Sequence, residues 1–220
     1  LSSPNPESVA VGFTVPLYYT PGAALPWSGV MSHSDDGIGR LDRPVDPKYD
    51  HVLGNGRAPI TLVEYGSYAC PHCRAANERI AEVRNKLGER LRYVFRHRPL
   101  TGSELARRAA ELAERAPDPQ RFWDAHVMLM TRSETLSEDD LAAVAERLGL
   151  PPQAATGATD AAARRAKARV DADIASSRAS GVRFTPTFFI NGRLYDGPWD
   201  ESSFADAMLM PKSGRAGAGS

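Results

Sequence analysis

Two cysteines occur in the 220 residues, and only Pro71 and His72 separate them, giving Cys70-Pro71-His72-Cys73. A disulfide across so short a loop removes little entropy from the unfolded chain, so covalent bracing is unavailable and an apolar core must hold the fold together. A chain of this length can bury one good core. The cysteine pair is therefore present for chemistry or for metal.

The residues around the pair read as strand, turn and helix. Ile60 to Tyr65 is a short, largely apolar run with the character of a buried strand. After Cys70, Pro71 suits a first helical turn, and Ala76, Ile80, Val83 and Leu87 recur at helical spacing up to Gly88. Leu91 to Phe95 supplies a second strand, and a strand-helix-strand unit of this kind forms a parallel pair with a right-handed crossover.

From Thr101 to Ser180 the pattern is mostly helical, as an insertion or cap. Ser103 caps a helix running through Arg115, Pro119 opens one carrying Phe122, Trp123, Val127 and Leu129, and Ser137 with Asp140 starts one that stops at Gly149. A fourth, rich in Ala and Arg, runs from about Thr159 to Ser180. Strand character returns at Thr187 to Ile190, followed by an Asn191-Gly192 turn, Arg193 to Tyr195, and a closing helix from about Asp200 to Met210. The expected class is α/β.

The folded body is expected over residues 45 to 210. Residues 1 to 44, with Pro4, Pro6, Pro16, Pro21 and Pro26 and no sustained periodicity, read as a loosely ordered arm. Its apolar patch from Val9 to Tyr19 has a second reading, as a segment docked on the domain or on another copy of it. Pro211 to Ser220, rich in Gly, Ala and Ser, reads as a disordered tail. The chain opens at Leu1 without a secretory pattern, as expected of a processed or truncated product.

Charge narrows the partners. Lys plus Arg and Asp plus Glu balance at 27 each, which gives no electrostatic footprint for nucleic acid or an anionic membrane. No apolar run approaches the roughly 20 residues that span a bilayer.

A thiol attacks a disulfide as the thiolate, so a reactive cysteine needs surroundings that favour negative charge. Cys70 precedes Pro71 at a helix start, where unpaired backbone N–H groups and the positive end of the macrodipole favour an anion. Cys73, one turn on, is placed to resolve a mixed disulfide. His72 either adds a donor or a positive charge, or simply faces solvent. Metal is the competing reading, with Cys70, His72 and Cys73 holding copper or zinc. A structural zinc site needs four ligands, however, and no second Cys or His pair follows at finger-like spacing, while His33, His51, His97 and His126 are scattered.

Two further positions bear on the site. Glu64, on the strand entering the active turn, is either a buried carboxylate that relays a proton from the thiols or a strand-end residue facing water. Pro186, directly before an apolar strand, is either an ordinary trans proline or a cis one that turns the chain and presents the Thr185 backbone to an extended peptide.

Val63 to Cys73, the strand end Phe95-Arg96-His97-Arg98-Pro99-Leu100, and Gly181 to Gly192 around Thr185-Pro186 together resemble the DsbA-type branch of the thioredoxin superfamily, nearest to the thioredoxin-like domains fused to bacterial sodium/proton antiporters. The resemblance covers about Val45 to Met208. It implies a thioredoxin-like fold with a helical insertion between the βαβ unit and a cis-proline hairpin. It also implies that Cys70 is the nucleophile, Cys73 the resolving thiol, Thr185-Pro186 the cis-proline loop, and Glu64 the family's acid six residues before the first cysteine. Pro71-His72 matches the strongly oxidising members, whereas Thr185 is a choice often seen in isomerases and reductases. Relatives commonly carry small residues where Arg183 and Phe184 stand, so Phe184 is either a contact for substrate or a core aromatic beneath the loop.

The expected function is thus a protein thiol-disulfide oxidoreductase, whose alternatives are an isomerase or reductase of the same fold, or a metal-binding accessory domain. No cofactor beyond the redox-active Cys70–Cys73 disulfide is implied. Expected partners are unfolded or cysteine-containing proteins and a redox protein that resets the pair, with oligomerisation through the N-terminal arm as a further option. The expected setting is oxidising and extracytoplasmic, the bacterial periplasm or cell envelope.

Overall fold

The computed structural model describes residues 39–157 and 159–209. The expected arm up to residue 38, with the patch from Val9 to Tyr19 and His33, lies outside these residues, as does the expected tail from Pro211.

Five strands form one sheet: β1 (His51–Leu53), β2 (Ile60–Gly66), β3 (Leu91–His97), β4 (Thr187–Ile190) and β5 (Arg193–Tyr195), in the order β1-β3-β2-β4-β5. The β2 and β3 pair is parallel, and the other pairs are antiparallel. Helix α1 (Pro71–Leu87) joins β2 to β3, α2 (Glu104–Ala113), α3 (Pro119–Thr131), α4 (Glu138–Arg147) and α5 (Ala161–Ala179) fill the connection from β3 to β4, and α6 (Glu201–Leu209) follows β5. This is the architecture that the resemblance implies.

Local chemistry sets the helix starts. Ser103, Asp118, Ser137 and Asp160 each accept a backbone N–H three residues on, and Ser137 with Asp140 closes a reciprocal capping box. The β4–β5 hairpin turns on Asn191 and Gly192, whose φ angles of 50° and 79° suit the tight turns of twisted hairpins.

Every residue of β2 is buried, because the sheet is covered on both faces. Side chains alternate across it. Toward α1, Leu62 packs with Tyr93 and Phe95 of β3, Ile80 and Val83 of α1, Phe122 of α3 and Phe204 of α6. On the opposite face Val63, Tyr65, Val94, Val182 and Phe189 form a smaller cluster. Each such side chain contributes about 1.5–3 kcal/mol by leaving water.

Several bounds and one element differ from expectation. Residues 39–44 belong to the body: Leu41 N donates to Gly192 O, Leu194 N donates to Gly39 O, and Arg40 bridges Arg193. Strand β1 was not anticipated, since three residues carry no alternation to read. Strand β3 continues to His97 beyond the expected Phe95, whereas α2 ends at Ala113, short of Arg115.

Candidate active site

The carboxyl end of β2, the start of α1 and the loop entering β4 meet around the cysteines. Cys70 is the N-cap of α1, in extended conformation with φ −117° and ψ 111°, and Pro71 opens the helix. Its carbonyl accepts the N–H groups of Cys73 and Arg74 at 3.0 and 3.3 Å. Its sulfur lies 3.4 Å from the Thr185 carbonyl, across a sequence separation of 115 residues. The Thr185–Pro186 peptide bond is cis.

Both cysteines are buried and carry free thiols, and Cys73 is inaccessible to solvent. The Cys70 thiol is pulled down to about 5. The main cause is a hydrogen bond from the Cys73 thiol, which outweighs the cost of burial and is aided by the Thr185 side chain and by the backbone N–H groups of Cys73 and His72. Thr185 Oγ1 is buried without a partner among the described residues, so it can donate once the sulfur is an anion. Cys73 moves the other way, because its thiol donates a hydrogen bond to Cys70, is desolvated and feels the charge of Glu64. The Ser67 N–H reaches its sulfur at 3.4 Å. A thiolate is thus concentrated on Cys70 and withheld from Cys73.

Glu64 is fully buried on the α1 face of β2. Its Oε2 accepts the Tyr93 hydroxyl at 2.6 Å, while Oε1 has no partner among the described residues. Burial pushes its carboxyl up to about 8; the Tyr93 bond opposes that rise and negative charge on Cys70 adds to it. Room for this carboxyl depends on Gly66, where a Cβ would lie 2.7 Å from Glu64 Oε1 and 2.5 Å from Phe95 Cε2. Tyr93 and Gly66 were not singled out in the sequence, although Tyr93 stands two residues before Phe95 and so shares its face. Glu64 is the buried carboxylate of its two readings.

The remaining expected residues separate. His72 and Pro71 are exposed on the first turn of α1, and the His72 ring makes no hydrogen bond among the described residues. Phe184 is 72 % exposed, which excludes the core-aromatic reading and leaves its ring beside Thr185, facing outward.

Two of the histidines read as scattered, His51 and His97, meet in space. His51 Nε2 and His97 Nε2 lie 2.8 and 2.9 Å from the same oxygen of Glu114, although 63 and 17 residues separate them from it in sequence. His126 sits between Tyr68 OH at 3.2 Å and Asn77 Nδ2 at 2.9 Å, joining α3 to the turn before Cys70 and to α1. Burial drives its pKa down to about 3, so the ring is neutral. No spacing rule announces these meetings, because each depends on how the helical insertion folds back on the strands.

Comparisons with known proteins agree with this geometry. Residues 46–208 match the Thioredoxin family. The chain is 59 % identical over 169 residues to a Na(+)/H(+) antiporter NhaA of Nitrosospira multiformis, covering 77 % of this chain and 27 % of the antiporter. It is 39 % identical over 191 residues to NhaA 3 of Salinispora tropica, covering 83 % and 29 %. The chain therefore spans less than a third of the length of these relatives. Among solved structures, oxidised BdbD from Bacillus subtilis superposes with a TM-score of 0.65 at 22 % identity, covering 79 % of this chain and 97 % of BdbD. A thioredoxin-like oxidoreductase from Silicibacter pomeroyi superposes with a TM-score of 0.59 at 28 % identity, covering 74 % and 91 %. Wolbachia pipientis α-DsbA1 gives 0.63 at 20 %, covering 76 % and 92 %. With the family signature running through both the cysteine turn and the proline loop, the chain belongs to the thioredoxin family and carries the DsbA-like form of its fold.

Proposed function

We propose that the chain is a protein thiol-disulfide oxidoreductase that oxidises substrate dithiols through Cys70 and Cys73. The observation that carries the reading is the Cys70 sulfur at the start of α1, with its thiol brought down to about 5 beside a Cys73 thiol that keeps its proton. A low thiol pKa stabilises the reduced pair and makes its disulfide a stronger oxidant.

In the forward direction a substrate thiolate attacks Cys70 in the oxidised pair. A substrate–Cys70 bond forms, the Cys70–Cys73 bond breaks, and its electron pair leaves on Cys73. Glu64, protonated at neutral pH, supplies the proton that this high-pKa sulfur takes up. A second substrate thiolate then attacks the substrate sulfur of the mixed disulfide. The substrate disulfide forms, Cys70 departs as a thiolate, and two electrons remain on the enzyme until a redox partner protein removes them. Cys70 departs readily because its thiolate is the stable form. The Thr185 carbonyl, 3.4 Å from the Cys70 sulfur, lies where an extended substrate would dock, and the outward ring of Phe184 offers it apolar contact.

Substrates are cysteine-containing unfolded proteins, and the setting is an oxidising, extracytoplasmic one. Among the described residues no helix is long and apolar enough to cross a membrane.

The test is the thiolate absorbance of the reduced protein against pH, together with its reduction potential against glutathione. A Cys70 midpoint near 5 and a potential nearer about −120 mV than about −270 mV are expected, with Cys70→Ser inactive and Cys73→Ser accumulating mixed disulfides. A Cys70 no more ionised at neutral pH than free cysteine overturns the reading.

A further inference from the structure

His51 at the start of β1, His97 at the end of β3 and Glu114 just past α2 meet at one point, outside the chemistry assigned to the cysteines. Their three ligand atoms all lie within 4.8 Å of one another. We propose that His51, His97 and Glu114 form a binding site for one zinc-class divalent cation.

The donor set fits such an ion. Two imidazole nitrogens and one carboxylate oxygen suit zinc and its first-row neighbours, whereas calcium and magnesium prefer oxygen throughout. Three protein ligands are also the number at which zinc sites keep a position open for water. The open side exists: a cavity of about 410 Å³ is bordered by His51, Glu114 and Phe122.

The ligands are held in place before any ion arrives. The His51 ring stacks on Phe122 with centroids 3.3 Å apart and planes 4° from parallel. His97 is buried, its backbone N–H is fixed by Asp173 Oδ2 at 3.0 Å, and its ring meets the edges of Phe95 and Tyr68. A tetrahedral ion bound at about 2.0–2.1 Å needs ligand atoms roughly 3.3 Å apart. The nitrogens now sit 2.8 and 2.9 Å from Glu114 Oε1, so a shift of the Glu114 carboxyl by about half an ångström opens the space. Coordination replaces these two hydrogen bonds, each neutral ring then carrying its proton on Nδ1. One group works against the ion: the Arg169 guanidinium lies 3.9 Å from the same Glu114 oxygen, though it is shared with Asp50 at 3.9 Å.

Cysteine thiolates are themselves zinc ligands, so the experiment uses the full chain carrying Cys70→Ser and Cys73→Ser. Zinc chloride is titrated against a chromophoric chelator, with cobalt(II) as a spectroscopic substitute. One zinc per chain is expected, with a cobalt spectrum of nitrogen and oxygen ligation and no thiolate band. His51→Phe keeps the ring that stacks on Phe122 and removes the nitrogen, and it should weaken zinc by more than the roughly 10–100-fold that loss of an outer-shell partner costs. Arg169→Gln, which leaves all three ligands intact, should tighten it. Absence of stoichiometric zinc in the double-serine protein, or an affinity unmoved by either substitution, overturns the proposal. Failure here leaves the redox reading of Cys70 untouched, because the serine background has already removed it.

Discussion

Asp50 and Glu64 are both buried carboxyls beside the same sheet, on opposite faces of it, and their surroundings differ in one respect. Both oxygens of Asp50 are engaged: Arg96 reaches them through Nε at 2.9 Å and Nη2 at 3.2 Å, and Arg43 and the Asp46 N–H add further hydrogen bonds. Burial alone would raise Asp50, but these partners hold it below the usual carboxylate range. Among the described residues Glu64 has one neutral donor, Tyr93, and one bare oxygen, and it rises to about 8. The same desolvation thus yields a fixed anion where a cation answers it and a titratable acid where only a phenol does. Only the second kind can exchange a proton near neutral pH, and it is the one on the face that carries the cysteines.

The sharpest way to break this contrast is the pH dependence of stability. For Glu64 the folded pKa, about 8, exceeds the ordinary 4.5, so its stabilisation is complete below 4.5 and drains away as pH rises to about 8. At about 1.4 kcal/mol per unit, the whole change amounts to roughly 5 kcal/mol. Glu64→Gln removes this titration. Urea unfolding of the reduced proteins should therefore show the variant gaining on the parent by several kcal/mol between pH 4 and 9, and parallel curves would refute the buried-acid assignment. Asp50 has the opposite sign, since its stabilisation is present above its ordinary pKa and is lost only as pH falls through the depressed value.

Next in size is Asp50→Asn. Arg96 has no solvent-accessible surface, so the substitution removes its close countercharge and leaves the buried guanidinium with the Asp42 carboxylate 4.0 Å away. Removal of one partner of such a pair costs about 3–5 kcal/mol. Urea unfolding at neutral pH is expected to show that loss with the thiolate absorbance of Cys70 unchanged. A shift in the Cys70 titration would mean that the two faces are not independent.

The two faces were also unequally legible in the sequence. Glu64 was placed on a buried strand because Ile60 to Tyr65 announces itself through local apolar character, and the α1 repeat announces the helix beneath it. The Asp50–Arg96 pair gave no such signal. Asp50 precedes a strand of three residues, too short to show alternation, and the bond that fixes it spans 46 residues. Likewise Tyr93 and Gly66 act on Glu64 through strand register and through the absence of a side chain, neither of which has a compositional mark. Phe184 shows the reverse difficulty, for an aromatic beside an apolar strand reads equally as core, and only the path of the loop turns it outward.

The smallest expected effect isolates the single donor that Glu64 possesses. Tyr93→Phe deletes the 2.6 Å bond and leaves both carboxyl oxygens bare in the core. With Glu64 protonated the loss is that of one neutral hydrogen bond, about 1 kcal/mol. That bond lowers the Glu64 pKa, so its removal raises the value above about 8 and makes the carboxylate still more costly to bury. The stability gap between parent and variant should consequently widen as pH passes 8, and a gap that is constant with pH would show that Tyr93 fills space without bearing on the acid. The same measurement separates Tyr93 from Arg96, whose hold on Asp50 shows its pH dependence only in acid.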